Sequence, residues 1–197
     1  MTPNLFIFSA ASGAGKTTLI NKVMPNFPNI VYSVSATTRS PRQGEEDGVH
    51  YFFKTEEEFK KMIENNELVE WNEVHGNYYG TPKFFVEQKL AEGRDIAFDL
   101  DVFGKINFDK VYPQAIGILI LAPSMEELEQ RLSDRKTETK ETLKIRIGNA
   151  KKETDFALAK GKYEYVIYNR DLEIAAAELK GIIEKYSSFK SSSQSGS

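Results

Sequence analysis

The sequence predicts an α/β fold: a parallel sheet flanked by helices, with a small sheet-rich insertion and a helical lid. Three observations predict it. First, the apolar run Leu5-Phe6-Ile7-Phe8 leads through Ala10-Ala11-Ser12-Gly13-Ala14-Gly15-Lys16-Thr17 into Thr18-Leu19-Ile20, which reads as a buried strand, a loop of small residues and the first turn of a helix. Second, apolar strand-like runs return at 96–101, 115–121 and 165–168, with helical stretches among them, as in a sheet built from alternating strands and helices. Third, between Ser35 and Thr81 this alternation gives way to short strand-like pieces around turns, which reads as an insertion.

The loop after the first strand carries chemistry. Small residues let successive backbone N–H groups turn inward around an anion, the helix N-terminus adds a partial positive charge, and Lys16 supplies a full one. Thr17 offers a hydroxyl to a magnesium ion. This is the phosphate-binding P-loop pattern, with Ala10 where its first Gly usually stands. A bare glycine-rich turn is the competing reading, and the agreement of motif with strand-loop-helix context speaks against it.

Taken in order, the helix after the loop runs from Lys16 to about Met24 and is stopped by Pro25 and Pro28. A second strand is expected over 30–35. The polar stretch from Ser35 to Gly44 reads as a binding loop holding two guanidiniums, Arg39 and Arg42. Residues 49–53 read as a strand, and Thr55-Glu56-Glu57-Glu58 as a capping box opening a short helix. Strand-like 68–74 and Tyr78-Tyr79 flank a Gly76-Asn77 turn. Thr81-Pro82 reads as an N-cap followed by Pro at the first helical position, with the helix ending near Gly93. The strand over 96–101 ends in two carboxylates, Asp99 and Asp101, which in such a sheet face the ligand crevice. Pro123-Ser124 caps a helix carrying Arg131 and Arg135. A polar run, 133–141, precedes another helix that carries Arg146, and the pair reads as a mobile lid. The last strand is 165–168, the last helix 172–186, and the Ser-rich tail 187–197 is expected to be disordered.

Composition narrows the partners. The 197 residues suggest one compact unit, large enough to bury roughly 70% of its unfolded surface. Without Cys there are no disulfides, thiol nucleophiles or thiolate metal sites, and without a signal-like N-terminus or a membrane-length apolar run the chain reads as cytoplasmic. A net charge of −3 and a pI near 5.6 argue against general nucleic-acid binding. The ligands are expected to be small. Five of the seven Arg fall into two groups, Arg39 and Arg42, then Arg131, Arg135 and Arg146, which suggests phosphates gripped from several sides. His50 and His75 are assigned no role.

The P-loop, the segment Ser35-Ala36-Thr37-Thr38-Arg39-Ser40-Pro41-Arg42, Gly48 with Tyr51, Glu70-Trp71, Gly76-Asn77-Tyr78-Tyr79-Gly80-Thr81, Asp99-Leu100-Asp101 and 135–139 together resemble guanylate kinases over nearly the whole chain. The resemblance implies a core (1–34, 82–124 and 157–186), a GMP-binding insertion (35–81) and a lid (125–156). It also implies transfer of a phosphoryl group from ATP to GMP with Mg²⁺. By that resemblance Ser12, Gly13, Ala14, Gly15, Lys16, Thr17 and Thr18, with Arg131, Arg135 and Asn169, hold ATP. Ser35, Arg39, Arg42, Tyr51, Glu70, Tyr79, Thr81, Asp99 and Asp101 hold GMP, and Thr17 and Asp99 organise the metal. Lys16, Arg39, Arg135 and Arg146 are the expected catalytic residues. The chemistry of guanine agrees, since a Glu70 carboxylate matches the N1–H and N2 amino donors and the hydroxyls of Ser35 and Thr81 suit O6 and nearby atoms. The chain departs from the family at Ala10, Ala11, Phe103, Lys136 and Arg170. Two other readings are a non-catalytic phosphoprotein-binding module of the same fold and a P-loop kinase for another nucleotide.

Overall fold

The computed structural model describes residues 3–74, 76–134 and 140–186. Strand β1 (Leu5–Ala10) lies at the centre of a five-stranded sheet, between β7 (Asp95–Asp99) and β8 (Ile116–Leu121). Strands β2 (Ile30–Tyr32) and β9 (Tyr165–Tyr168) form the edges, and every pairing is parallel. Because successive side chains point to opposite faces, Phe6 and Phe8 pack on one side with Leu19 and Ile20 of α1 (Lys16–Val23) and Leu179 and Ile183 of α7 (Leu172–Tyr186). Leu5 and Ile7 pack on the other with Phe85 of α3 (Lys83–Ala91) and Phe108 of α4 (Val102–Asp109). Helices cover both faces, which is why Leu5–Phe8 of β1 is a continuous apolar run rather than an alternating one.

The insertion folds as a second sheet, β4-β3-β6-β5, from β3 (Ala36–Thr37), β4 (Phe52–Phe53), β5 (Leu68–Val74) and β6 (Asn77–Pro82). Helix α2 (Glu56–Glu64) lays Phe59 and Met62 against Ala36 and Leu68. Its capping box is present, with the Thr55 hydroxyl accepting from the Glu58 N–H at 3.2 Å and the Glu58 carboxylate accepting from the Thr55 N–H at 2.7 Å. The remaining helices are α5 (Met125–Ser133), capped by Ser124, and α6 (Lys140–Lys160), which runs unbroken past residue 157.

Several elements differ from the sequence reading. Helix α4 was not anticipated between Asp101 and Ala115; Gly104 and Asn107 dilute its helical signal, and the Asp101 side chain starts it by accepting the N–H groups of Phe103 at 2.9 Å and Gly104 at 2.6 Å. The N-cap of α3 is Pro82 and not Thr81, because the Thr81 hydroxyl is committed to Glu70 instead. Strand β2 stops at Tyr32, and the strand expected over 49–53 is reduced to Phe52–Phe53 because Val49 and His50 turn back on the Glu46 carbonyl. The His50 ring accepts the Glu46 N–H at 3.0 Å, a local structural contact. Pro25 lies within a 3-10 turn, Met24–Asn26, that ends α1. The expectations for His75, for Arg135 and Lys136 within 135–139, and for the tail 187–197 fall outside the described residues.

Candidate active site

The phosphate loop leaves β1 and Asp99 closes β7, so both open onto the crevice at the carboxyl ends of neighbouring strands. Gly15 is the N-cap of α1 at φ 89°, a left-handed conformation. A Cβ there would also strike the Asn169 amide nitrogen. That nitrogen donates to the Ala14 carbonyl at 2.9 Å, which locks the loop from the end of β9. Arg131 braces the same turn, donating to the Asn169 carbonyl at 2.8 Å, to Glu127 Oε1 at 2.5 Å and to the Ala14 carbonyl at 3.5 Å. From α6, Arg146 Nη2 donates to Ser12 Oγ at 2.8 Å. The Lys16 ammonium is paired with Asp99 and lies 3.5 Å from the Leu100 carbonyl. A cavity of about 410 Å³ opens beside the loop, lined by Gly13, Gly15, Thr18, Arg131, Asn169 and Arg170 among others.

On the insertion side a cavity of about 260 Å³ is lined by Lys16, Ser35, Tyr51, Glu70, Tyr79, Asp99 and Asp101, so residues 85 positions apart in the chain converge on one space. Glu70 is buried, and Thr81 Oγ1 donates to its Oε1 at 2.7 Å. Burial, reinforced by the nearby Asp101 and opposed by the Thr81 bond, pushes the Glu70 carboxyl up to about 7. Its Oε2 lies against Gly104, where a Cβ would stand only 3.0 Å away, so α4 can approach this carboxylate only because residue 104 has no side chain.

Arg39 lies over the Tyr51 ring, 5.3 Å from its centroid, and donates to Glu45 Oε1 and the Ser40 carbonyl, both at 2.8 Å. Tyr51 and Tyr79 meet edge to face at 6.2 Å. Glu45 also accepts the Arg42 N–H at 2.7 Å, and these contacts, the Arg39 bond first, hold its carboxyl down at about 2. The Arg42 side chain is exposed on the same loop.

A family model described as guanylate kinase matches residues 2–186. The guanylate kinase of Bacteroides thetaiotaomicron is 46% identical over 188 residues, covering 94% of this chain and 91% of the relative. That of Desulfitobacterium hafniense is 42% identical over 179 residues, covering 91% and 88%. The chain belongs to the guanylate kinase family. Among solved structures, guanylate kinase from Anaplasma phagocytophilum superposes with a TM-score of 0.72 at 31% identity, covering 94% of this chain and 87% of that one.

Within this guanylate kinase fold, four residues escaped the sequence reading. Asn72 follows Glu70 by two positions on β5, lines the same cavity and donates to Asp101 Oδ2 at 3.1 Å. Its place was legible from strand period alone. Glu45 had a weaker signal, an acid three residues beyond Arg42. Gly104 belongs to the helix that was missed. Tyr32 ends β2 and is 39% exposed as a residue, while desolvation of its hydroxyl, then the nearby Asp99 and Tyr51, raise that group well above its usual range.

Proposed function

We propose a division of labour for ATP:GMP phosphotransfer, the activity of the family to which the chain belongs. One observation supports it above the others: a single cavity is lined by the phosphate-loop Lys16, the buried Glu70, and Tyr51 and Tyr79, with Arg39 over Tyr51. Guanine presents two donors, N1–H and the N2 amino group, on one edge. A carboxylate has lone pairs for both while still accepting from Thr81. Adenine lacks the amino group and has an unprotonated N1, so AMP would leave a buried carboxylate unpaired. Ser35 and Thr81 are assigned to O6 and nearby atoms, Asp101 to the base edge, and Arg39, Arg42, Tyr51 and Tyr79 to the GMP phosphate.

ATP is assigned to the loop Ser12 to Thr18, with Asn169 and Arg131 at the adjoining cavity. Its phosphates offer Lys16 a partner in place of Asp99, which frees the carboxylate. Thr17 and Asp99 are then the protein donors for Mg²⁺. One hydroxyl and one carboxylate suit an ion that keeps several waters and binds largely through substrate phosphates, and among the described residues no group of three or more His, Cys, Asp and Glu converges into a cage. When bound, the ion supplies charge neutralisation at the β- and γ-phosphates.

The attacking GMP phosphate oxygen is already ionised near neutral pH, so no general base is required. The protein has to place donor and acceptor in line and cancel the repulsion between two polyanions. Arg146, already at Ser12, is assigned to the transferring phosphoryl together with Arg135. Segment 35–81 is taken as the GMP-binding unit and 125–156 as the lid. We place the reaction in the cytoplasm and in purine nucleotide metabolism. The test is ADP production with Mg²⁺ and each of GMP, AMP, UMP and dTMP. Production that depends on GMP, and falls by roughly 10⁴ with AMP, is expected; equal rates would reject the role of Glu70.

A further inference from the structure

We propose that Lys105 is a positioning residue: its buried ammonium ties the chain leaving α6 to α4, and so sets the angle at which α6 presents Arg146 to the phosphate loop. The side chain is 1% exposed. All three ammonium hydrogens have a destination. Asp109 Oδ2 lies at 2.6 Å, the Lys162 carbonyl at 2.8 Å, and the Tyr163 ring faces the ammonium at 4.9 Å from its centroid. Gly117 on β8 makes room, since a Cβ there would lie 2.7 Å from Lys105 Cε.

Lys162 is one of two non-glycine residues at positive φ among the described residues, at 45°. It falls two residues beyond the end of α6, where the chain must reverse into β9. A carbonyl in such a turn is held by a buried charge. Above it, Val102 packs with Ala157 and Phe156, and the Phe103 and Phe156 rings meet at 4.6 Å. The first turns of α4 therefore grip the last turns of α6. The same stretch of α4 puts Gly104 against Glu70, so one helix abuts the guanine-reading carboxylate and anchors the base of the lid helix.

Leverage makes this matter. Arg146 is fourteen residues from the end of α6, roughly 21 Å along the axis, so a tilt of about 3° at the base moves it by about 1 Å. A misplacement of that size costs up to ~10²-fold in rate. Stability alone does not call for a lysine here, because a buried ion pair is generally no more stabilising than apolar side chains of similar volume.

Lys105→Met with Asp109→Leu removes both charges together and leaves no unpaired ion. The strut bears on catalysis through the Arg146 assignment made above, so turnover is read beside a measurement that needs none. In the double variant kcat is expected to fall ~10–100-fold, with affinities for GMP alone and ATP alone within about threefold of wild type and faster amide exchange over 161–164. Gly117→Ala, whose Cβ would stand 2.7 Å from Lys105 Cε as well as 3.1 Å from Tyr163 and 3.2 Å from Glu164, is expected to act in the same direction, and its kcat decides the matter should the double variant fail to fold. Wild-type kcat in a folded variant, a loss confined to KM, or unchanged exchange over 161–164 would overturn the strut. Wild-type protein that makes no ADP with GMP would instead reject the proposed function, and the exchange data would still judge the strut.

Discussion

Glu70 is buried beside a second acid, Asp101, with the Thr81 hydroxyl as its donor. An acid whose folded pKa is raised, here from 4.5 to about 7, contributes stability that is fully present below 4.5 and is lost as pH rises through 7. The unliganded protein therefore carries a strain of about 3 kcal/mol from this group above neutrality. Glu70→Gln is expected to raise the melting temperature at pH 8 and leave it nearly unchanged at pH 4, as calorimetry at the two pH values would show. The same variant should lose GMP efficiency by about two orders of magnitude. In the role proposed for Glu70, GMP requires the ionised carboxylate, so its affinity in the wild type is expected to weaken between pH 8 and pH 6 by more than in Glu70→Gln. Titration of the GMP phosphate is common to both proteins and cancels in that comparison.

Among the elements, those with strong local signals were legible: the Thr55–Glu58 capping box, the apolar β1 and the Gly-rich turn into α1 were each read from a few adjacent residues. What was not legible depended on contacts distant in sequence. Thr81 looks like a helix cap until Glu70, eleven residues back, claims its hydroxyl. Helix α4 has eight residues and two poor helix formers, and is held by Asp101 and by packing on β8 rather than by propensity. In the candidate site, Lys16, Ser35, Tyr51, Glu70, Tyr79, Asp99 and Asp101, which line one cavity, are all named from the sequence, whereas Asn72, Glu45 and Gly104, which contact residues of the site, are not. The cap of α2 gives a direct measure of one local signal. Thr55→Ala removes an acceptor of the Glu58 N–H, and should cost about 1 kcal/mol, or about 2–4 °C in melting temperature for a chain of this length, with kcat unchanged.

At the scale of the whole molecule, the insertion is expected to report on its own occupancy. Trp71, the only tryptophan, is 41% exposed and meets Tyr78 edge to face at 5.9 Å, one residue from Glu70. A saturable change in its emission is expected on adding GMP, and a further one on adding an unreactive ATP analogue. Absence of any change, together with no heat of GMP binding, would count against the assigned pocket. The strand order has a consequence of another kind, for how the protein comes into being. β1 is made first, yet its sheet neighbours are β7 and β8, whose pairing residues begin at Ile96 and Ile116. At the pace of a ribosome, about 5–20 residues per second, the run Leu5-Phe6-Ile7-Phe8 has no strand to pair with for roughly 5–18 s. Among the strands of this sheet β1 thus waits longest for a partner, and loop closure over some ninety residues must precede the first pairing at the centre of the sheet. For a nascent chain of this architecture, the hazardous interval is set by the topology of the sheet, well before any nucleotide can contribute to its stability.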